Sequence, residues 1–443
     1  MRAFRFISKS AARALDAATS RFKAICDPRS VAYQKLEARV PEYKLPDPLV
    51  MSDGSRVKDP HTWRDRRRPE ILECFRTHVY GRAPESPAAT PFSVLRVDSQ
   101  ALGWTATRKE VRVGLGEQED SPSFLLLLYV PNRVRGRRER VPIFLGLNFF
   151  GNHTVHIDPG ISLPTAWIPN NSATEGRPAA MLRGLQSSSW PVEFILQRGY
   201  GLATAYCGEI VPDRPDGLEF GVHRWYRENL SFPSTAGSWG AIGGWAWGLS
   251  RAMDYLEHDP DVDHGKVVVI GHSRLGKAAL WAGACDERFG IVISNNSGCG
   301  GAALSRRRFG ETVAMMNSKF PHWFCGNFKR YNDREEELPV DQHELISLVA
   351  PRPVYVASAQ RDLHADPMGE FLATKHAGSV YRLLGNTGLP TADLPPVNMP
   401  VMGGMGYHLR RGGHGITSFD WMQYLKFTEL HFANGYRSSS GLQ

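Results

Sequence analysis

The stretch Lys266-Val267-Val268-Val269-Ile270-Gly271-His272-Ser273-Arg274-Leu275-Gly276-Lys277 decides how the chain is read. Residues 266–270 form an unbroken β-branched run, the composition of a strand covered on both faces. Residues 271–276 predict a tight turn, and the alanine-rich residues 277–284 predict a packed helix. Just before, Ile242, Trp245, Leu249, Met253 and Leu256 recur at three- and four-residue steps, which predicts an amphipathic helix ending near His258-Asp259-Pro260. Further strands are expected at 291–294 and, after Pro353, at 354–358. Helix, strand, turn and helix followed by widely spaced strands argue for a parallel sheet with helices on both faces.

Working outward, short apolar runs bounded by Gly, Pro or Asn predict strands at 124–130, 141–149 and 201–206, with a turn-rich segment at 132–140. Residues 43–91 read as a polar, proline-punctuated lead-in around one helical patch at 69–79, where Ile71, Leu72, Phe75 and Val79 share a face. The first residues carry Arg2, Arg5, Lys9, Arg13, Arg21 and Lys23 against one acid, Asp16. They lack an apolar core of signal-peptide length, so residues 1–42 are expected to be a basic tail with no convincing secretory signal. Residues 436–443 are expected to be a C-terminal tail.

The chain has 443 residues, 42% hydrophobic, 10% aromatic and 22% charged, which places it among globular proteins and excludes disordered or collagen-like classes. No apolar run reaches the roughly 18 residues of a membrane span. Lys and Arg exceed Asp and Glu by 53 to 45, a net charge of +8. The basic runs at 64–68, 133–140 and 306–308 lie far apart and carry no nucleic-acid motif, so they are read as solvated faces and ion pairs. Neither a nucleic-acid partner nor a membrane is expected. Cys26, Cys74, Cys207, Cys285, Cys299 and Cys325 show no CxxC pair and no zinc spacing. Cys299 and Cys325 flank one irregular stretch, which leaves a disulfide open, but buried thiols are the expectation.

The turn after residue 270 carries the chemistry. A sharp strand-to-helix turn with Ser273 at its apex lifts the hydroxyl off the sheet and sets the next backbone N–H beside a developing oxyanion, as acyl transfer requires. Leu275 displaces the second glycine of the G-x-S-x-G pattern to Gly276. The same letters match a phosphate-binding G-x-x-x-x-G-K loop, but Ala278 stands where that loop needs Ser or Thr to reach magnesium. The strand at 291–294 runs into Asn295 and Asn296 rather than a metal-binding Asp, so nucleotide binding is disfavoured.

A nucleophilic Ser273 needs a base, and the base needs a carboxylate to hold its tautomer. In doubly wound hydrolases the chain order is Ser, acid, His, each on a loop after a strand. Asp362 falls just past the 354–358 strand, with Asp366 and Glu370 as further acids. His414 lies in the glycine-rich loop Arg411-Gly412-Gly413-His414-Gly415, with His408 and His431 as further bases.

The stretches Gly271 to Lys277, Ser297-Gly298-Cys299-Gly300-Gly301-Ala302, and Gly406-Tyr407-His408 through Gly413-His414 resemble the bacterial glucuronoyl esterases of carbohydrate esterase family 15. The similarity runs from about Tyr43, through Leu45-Pro46-Asp47-Pro48-Leu49-Val50 and Arg66-Arg67-Arg68-Pro69-Glu70-Ile71, to about Phe432. It implies one α/β-hydrolase domain over residues 43–435, a three-layer sandwich with a mostly parallel central sheet. The implied activity is hydrolysis of esters joining 4-O-methyl-glucuronic acid of glucuronoxylan to alcohols of lignin, by a monomer without a cofactor, in a secreted or periplasmic setting.

By the same resemblance, Ser273 matches the nucleophile, His414 the general base and Arg274 the oxyanion-hole arginine. Lys277 and Glu311 match residues that bind sugar hydroxyls. Two positions depart from the family. Asn296 stands where many members carry the triad Glu, so the carboxylate is expected from Asp362, where some bacterial members have an Asp. His364 stands where a Trp usually packs near the uronate. These departures leave two other readings: an esterase for acetylated or other carbohydrate esters, and a carbohydrate-binding homologue with a decayed triad.

Overall fold

The computed structural model describes residues 35–85, 87, 89–118, 121–132, 140–169 and 180–433. The expected basic tail lies outside the described residues as far as position 34, and so does the expected C-terminal tail. Residues 35–42 are held to the body: Glu37 accepts two hydrogen bonds from Arg307 Nη2, at 2.8 and 2.9 Å.

Among the described residues ten strands make one sheet: β1 (Phe92–Gln100), β2 (Ala106–Gly114), β3 (Ser123–Pro131), β4 (Val141–Asn148), β5 (Gly201–Tyr206), β6 (Val262–His272), β7 (Ile291–Asn295), β8 (Val354–Ala359), β9 (Val401–Met402) and β10 (Met405–Arg410). Their order is β1-β2-β3-β5-β4-β6-β7-β8-β10-β9. From β5 through β10 every pairing is parallel, whereas β1, β2 and β3 add an antiparallel wing and β9 an antiparallel edge.

The unbroken apolar strands are explained by what covers them. Along β6, Val267 and Val269 join one core cluster while Val268 and Ile270 join the other. The first cluster packs beneath α1 (Arg68–His78), α2 (Ala241–Leu256), α3 (Arg274–Cys285) and α4 (Pro367–Leu383); the second packs beneath α5 (Ser418–Ala433) and the short helix Val192–Gln197. This is the three-layer α/β-hydrolase arrangement expected from the sequence. The 69–79 patch forms α1, and the 242–256 periodicity forms α2. The antiparallel wing was not anticipated in full, because β1 is exposed on both faces and so lacks the apolar signal that marks a buried strand.

The strand order reverses around β4, which lies between β5 and β6. Its chain continues to one face of the sheet and that of β6 to the other, opening a crevice beyond their carboxyl ends, the usual binding place in open α/β sheets.

Candidate functional site

The elbow is sharper than the sequence reading allowed. Instead of a turn over 271–276, β6 runs to His272 and α3 starts at Arg274, so Ser273 alone makes the reversal. It does so at φ 56° and ψ −130°, a strained backbone for a residue with a Cβ. Three hydrogen bonds hold it: its N–H donates to Asn295 O at 2.9 Å, and its carbonyl accepts from Gly276 N and Lys277 N at 2.9 and 3.2 Å. The glycines permit this closeness. A Cβ on Gly271 would lie 2.0 Å from Leu275 O, and one on Gly276 would lie 3.0 Å from Gly271 O. The N–H groups of Arg274 and Leu275 have no intrahelical acceptor, so the start of this helix presents donors beside Ser273.

His414 and Asp362 arrive from the loops after β10 and β8 and meet at 2.6 Å, Nδ1 to Oδ2. The His414 ring stands 4.4 Å, centroid to centroid, from that of His272, the neighbour of Ser273. Asn296, just past β7, donates its Nδ2–H to the same Asp362 oxygen at 2.8 Å. The opposite amide orientation would set two oxygens against each other, so this network fixes it. Burial works to raise the Asp362 pKa. The charge and hydrogen bond of His414 and the amide of Asn296 outweigh it, and Asp362 lies below the usual carboxylate range. Burial and the neighbouring His414 push His272 down to about 3, so it stays neutral, with Nδ1 2.6 Å from Asn295 Oδ1.

The other candidates sit elsewhere. Asp366 caps α4 and pairs with Arg307 at 2.8 Å. Glu370 accepts from Ser358 Oγ at 2.6 Å and Gly298 N at 3.0 Å. His408 is fully buried against Asp420 and Tyr355, and His431 Nε2 bonds to Gly403 O. Cys299 and Cys325, like Cys74, Cys207 and Cys285, carry free thiols.

One flank of Ser273, on the β7 and β8 side, is polar. Lys277 Nζ donates to Ser297 O at 2.5 Å and Cys299 O at 2.6 Å and lies 3.9 Å from Glu311. Glu311 N–H donates to His364 O at 3.0 Å, and His364 Nε2 lies 3.3 Å from Lys35 Nζ. The structure therefore gathers Lys277, Glu311 and His364 on one side. The opposite flank, at the β4–β6 crevice, is a cavity of about 180 Å³ that includes Phe149, Phe150, Trp190, Ile416 and the rings of His272 and His414 in its lining.

Arg274 has a partner the sequence did not reveal. Its Nε lies 2.5 Å from Asp213 Oδ2, and its guanidinium stands 4.6 Å from the Phe149 ring centroid and 5.6 Å from that of Trp323. Asp213 carries no motif and comes from the loop after β5, far from the elbow in sequence. Among the described residues no cluster of His, Cys, Asp and Glu suits a metal ion, and no helix is long and apolar enough to cross a membrane.

Comparison with known proteins places this geometry. A family model for fungal glucuronyl esterases matches residues 232–385, which hold the elbow, Asn296 and Asp362. The carbohydrate esterase MZ0003 from an unknown prokaryotic organism is 48% identical over 92% of this chain and 94% of its own length. The structure of a CE15 esterase from the marine bacterial metagenome, described as promiscuous, superposes with a TM-score of 0.84 at 48% identity, over 90% of this chain and 100% of that one. A glucuronoyl esterase from Solibacter usitatus gives 0.83 at 47% identity, over 89% of this chain and 99% of that one. With this fold, and with relatives so similar over nearly their whole lengths, the chain belongs to the glucuronoyl esterases of carbohydrate esterase family 15.

Proposed function

We propose that the protein is a serine esterase that hydrolyses esters of 4-O-methyl-glucuronic acid, the links between glucuronoxylan and lignin alcohols, through an acyl-enzyme on Ser273. The observation that carries this reading is the 2.6 Å bond between His414 Nδ1 and Asp362 Oδ2, with the His414 ring 4.4 Å from that of His272, the chain neighbour of a serine held at positive φ. Asp362 fixes the His414 tautomer, so that Nε2 accepts the Ser273 proton as Oγ attacks the ester carbonyl. The Arg274 N–H and guanidinium stabilise the tetrahedral oxyanion, an effect worth several kcal/mol where water is excluded. His414 returns the proton to the departing alkoxide, and a water activated by His414 then releases the uronic acid.

The two flanks divide the substrate. Lys277, Glu311 and His364 meet the sugar hydroxyls of the acyl half, and the alcohol departs toward the cavity beside His414. All these residues come from one chain, so a monomer suffices, and no step calls for a cofactor.

Turnover of benzyl glucuronate ester tests the assignment, with Ser273→Ala as the control. Activity that is lost in Ser273→Ala supports it, and activity that survives overturns it. A second reading keeps the machinery and widens the substrate to acetylated or other carbohydrate esters. It is favoured by His364 beside Glu311, since an imidazole offers less flat area than an indole for packing a sugar ring, and by the relative described as promiscuous. A ratio of glucuronate to acetyl ester kcat/KM near one would establish it.

A further inference from the structure

The oxyanion arginine is useful only if its guanidinium stands ready before substrate arrives. A free Arg side chain loses rotamer entropy when it is fixed, and that cost is removed when the group is held in advance. Around Arg274 the structure shows such a hold. Asp213 Oδ2 lies 2.5 Å from Nε, and the rings of Phe149 and Trp323 flank the guanidinium. Asp213 is itself fixed from the other side: Oδ1 accepts from His322 Nε2 at 2.9 Å and from Trp323 Nε1 at 2.8 Å. One carboxylate thus spends one oxygen on two ring donors and holds the other against Nε as a close ion pair, without a hydrogen bond from that N–H.

We propose that Asp213 is a positioning residue for the reaction: its charge, paired at close range with Arg274, holds the guanidinium between the Phe149 and Trp323 rings at the elbow, where it serves the oxyanion. The proposal rests on the reading of Arg274 given above. Burial opposes the charge on Asp213, but Arg274, His322 and Trp323 overcome it and hold its pKa down to about 2, so the clamp is charged throughout the neutral range.

The distinction from a merely structural ion pair is kinetic. A lock on an oxyanion donor acts in the transition state, so Asp213→Asn should lower kcat by about 10- to 100-fold with KM nearly constant. In an Arg274→Ala background the same substitution should cost no further rate, because there is nothing left to position. The test is therefore the double-mutant cycle on a benzyl glucuronate ester, with folding checked by melting temperature. A kcat unchanged in Asp213→Asn, or an equal loss in both backgrounds, overturns the proposal. If Arg274→Ala itself leaves kcat intact, it is the reading of Arg274 that fails. Should Asp213→Asn not fold, His322→Leu carries the same cycle, since it removes one of the donors that fix Asp213. A several-fold kcat loss confined to the Arg274 background supports the clamp, and a loss equal in both backgrounds, or none, rejects it.

Discussion

His414 and Asn296 donate to the same oxygen of Asp362, at 2.6 and 2.8 Å. The residue at the tip of β7 is thus an amide serving the carboxylate from the tip of β8, and the neighbouring strand supplies the charge. An amide alone could not balance an imidazolium, but as a donor it helps keep Asp362 ionised.

This relationship sets the first prediction. Asp362→Asn should lower kcat by about 10⁴-fold, the loss seen when a triad acid becomes an amide. Adding Asn296→Glu to that variant should restore at least tenfold of it, because a carboxylate then returns within reach of His414 from the adjacent strand. Steady-state kinetics of the single and double variants check both.

Arg274→Ala should lower kcat by about 10²- to 10³-fold, the usual loss of one oxyanion donor, with a smaller change in KM. The rate of Ser273 labelling by an organophosphonate should fall in parallel, since the adduct resembles the tetrahedral intermediate.

Gly271→Ala should prevent the elbow from closing. Its methyl would lie 2.0 Å from a backbone oxygen of α3, which cannot move without unwinding the helix start. Melting temperature and soluble yield should both drop sharply, unlike those of an alanine at exposed Gly413, where a Cβ meets nothing within 4 Å.

Glu370 is fully buried, and burial raises its carboxyl from 4.5 to about 8, against the pull of the Ser358 and Gly298 donors. The folded state then holds this proton more tightly than the unfolded chain, so the group's contribution to stability is greatest below pH 4.5 and declines as pH rises toward about 8. Glu370→Gln, which cannot ionise, should flatten the fall in melting temperature across that window. Thermal melts from pH 4 to 9 check the sign.

If the alcohol leaves toward the cavity beside His414, filling it by Ile416→Trp should lower the ratio of benzyl to methyl ester kcat/KM by about tenfold. The competing result, an unchanged ratio, would place the alcohol elsewhere.

What could be read from residues alone follows from how local each signal is. The β6 run, the elbow and α2 announce themselves because their residues are contiguous or periodic. His414 and Asp362 are found by chain order in a known fold class, and each could be confused with His408, Asp366 or Glu370 until burial and partners separate them. The sequence places the helix start at 277 because Gly271 and Gly276 bracket an apparent turn, whereas the single positive-φ residue Ser273 completes the reversal and the helix begins at Arg274. Asp213 gives no signal at all: it reaches Arg274 only because β5 lies two strands from β6 in the sheet.

The crevice at β4 and β6 has an evolutionary corollary. In the proposed division of the substrate, the sugar would abut loops rooted in β7 and β8 and the departing group loops rooted in β4 and β10, so mutations that retune one recognition surface need not disturb the other. A scaffold so divided could drift between leaving groups while its sugar recognition is conserved, or the reverse, with the reacting serine left untouched between them.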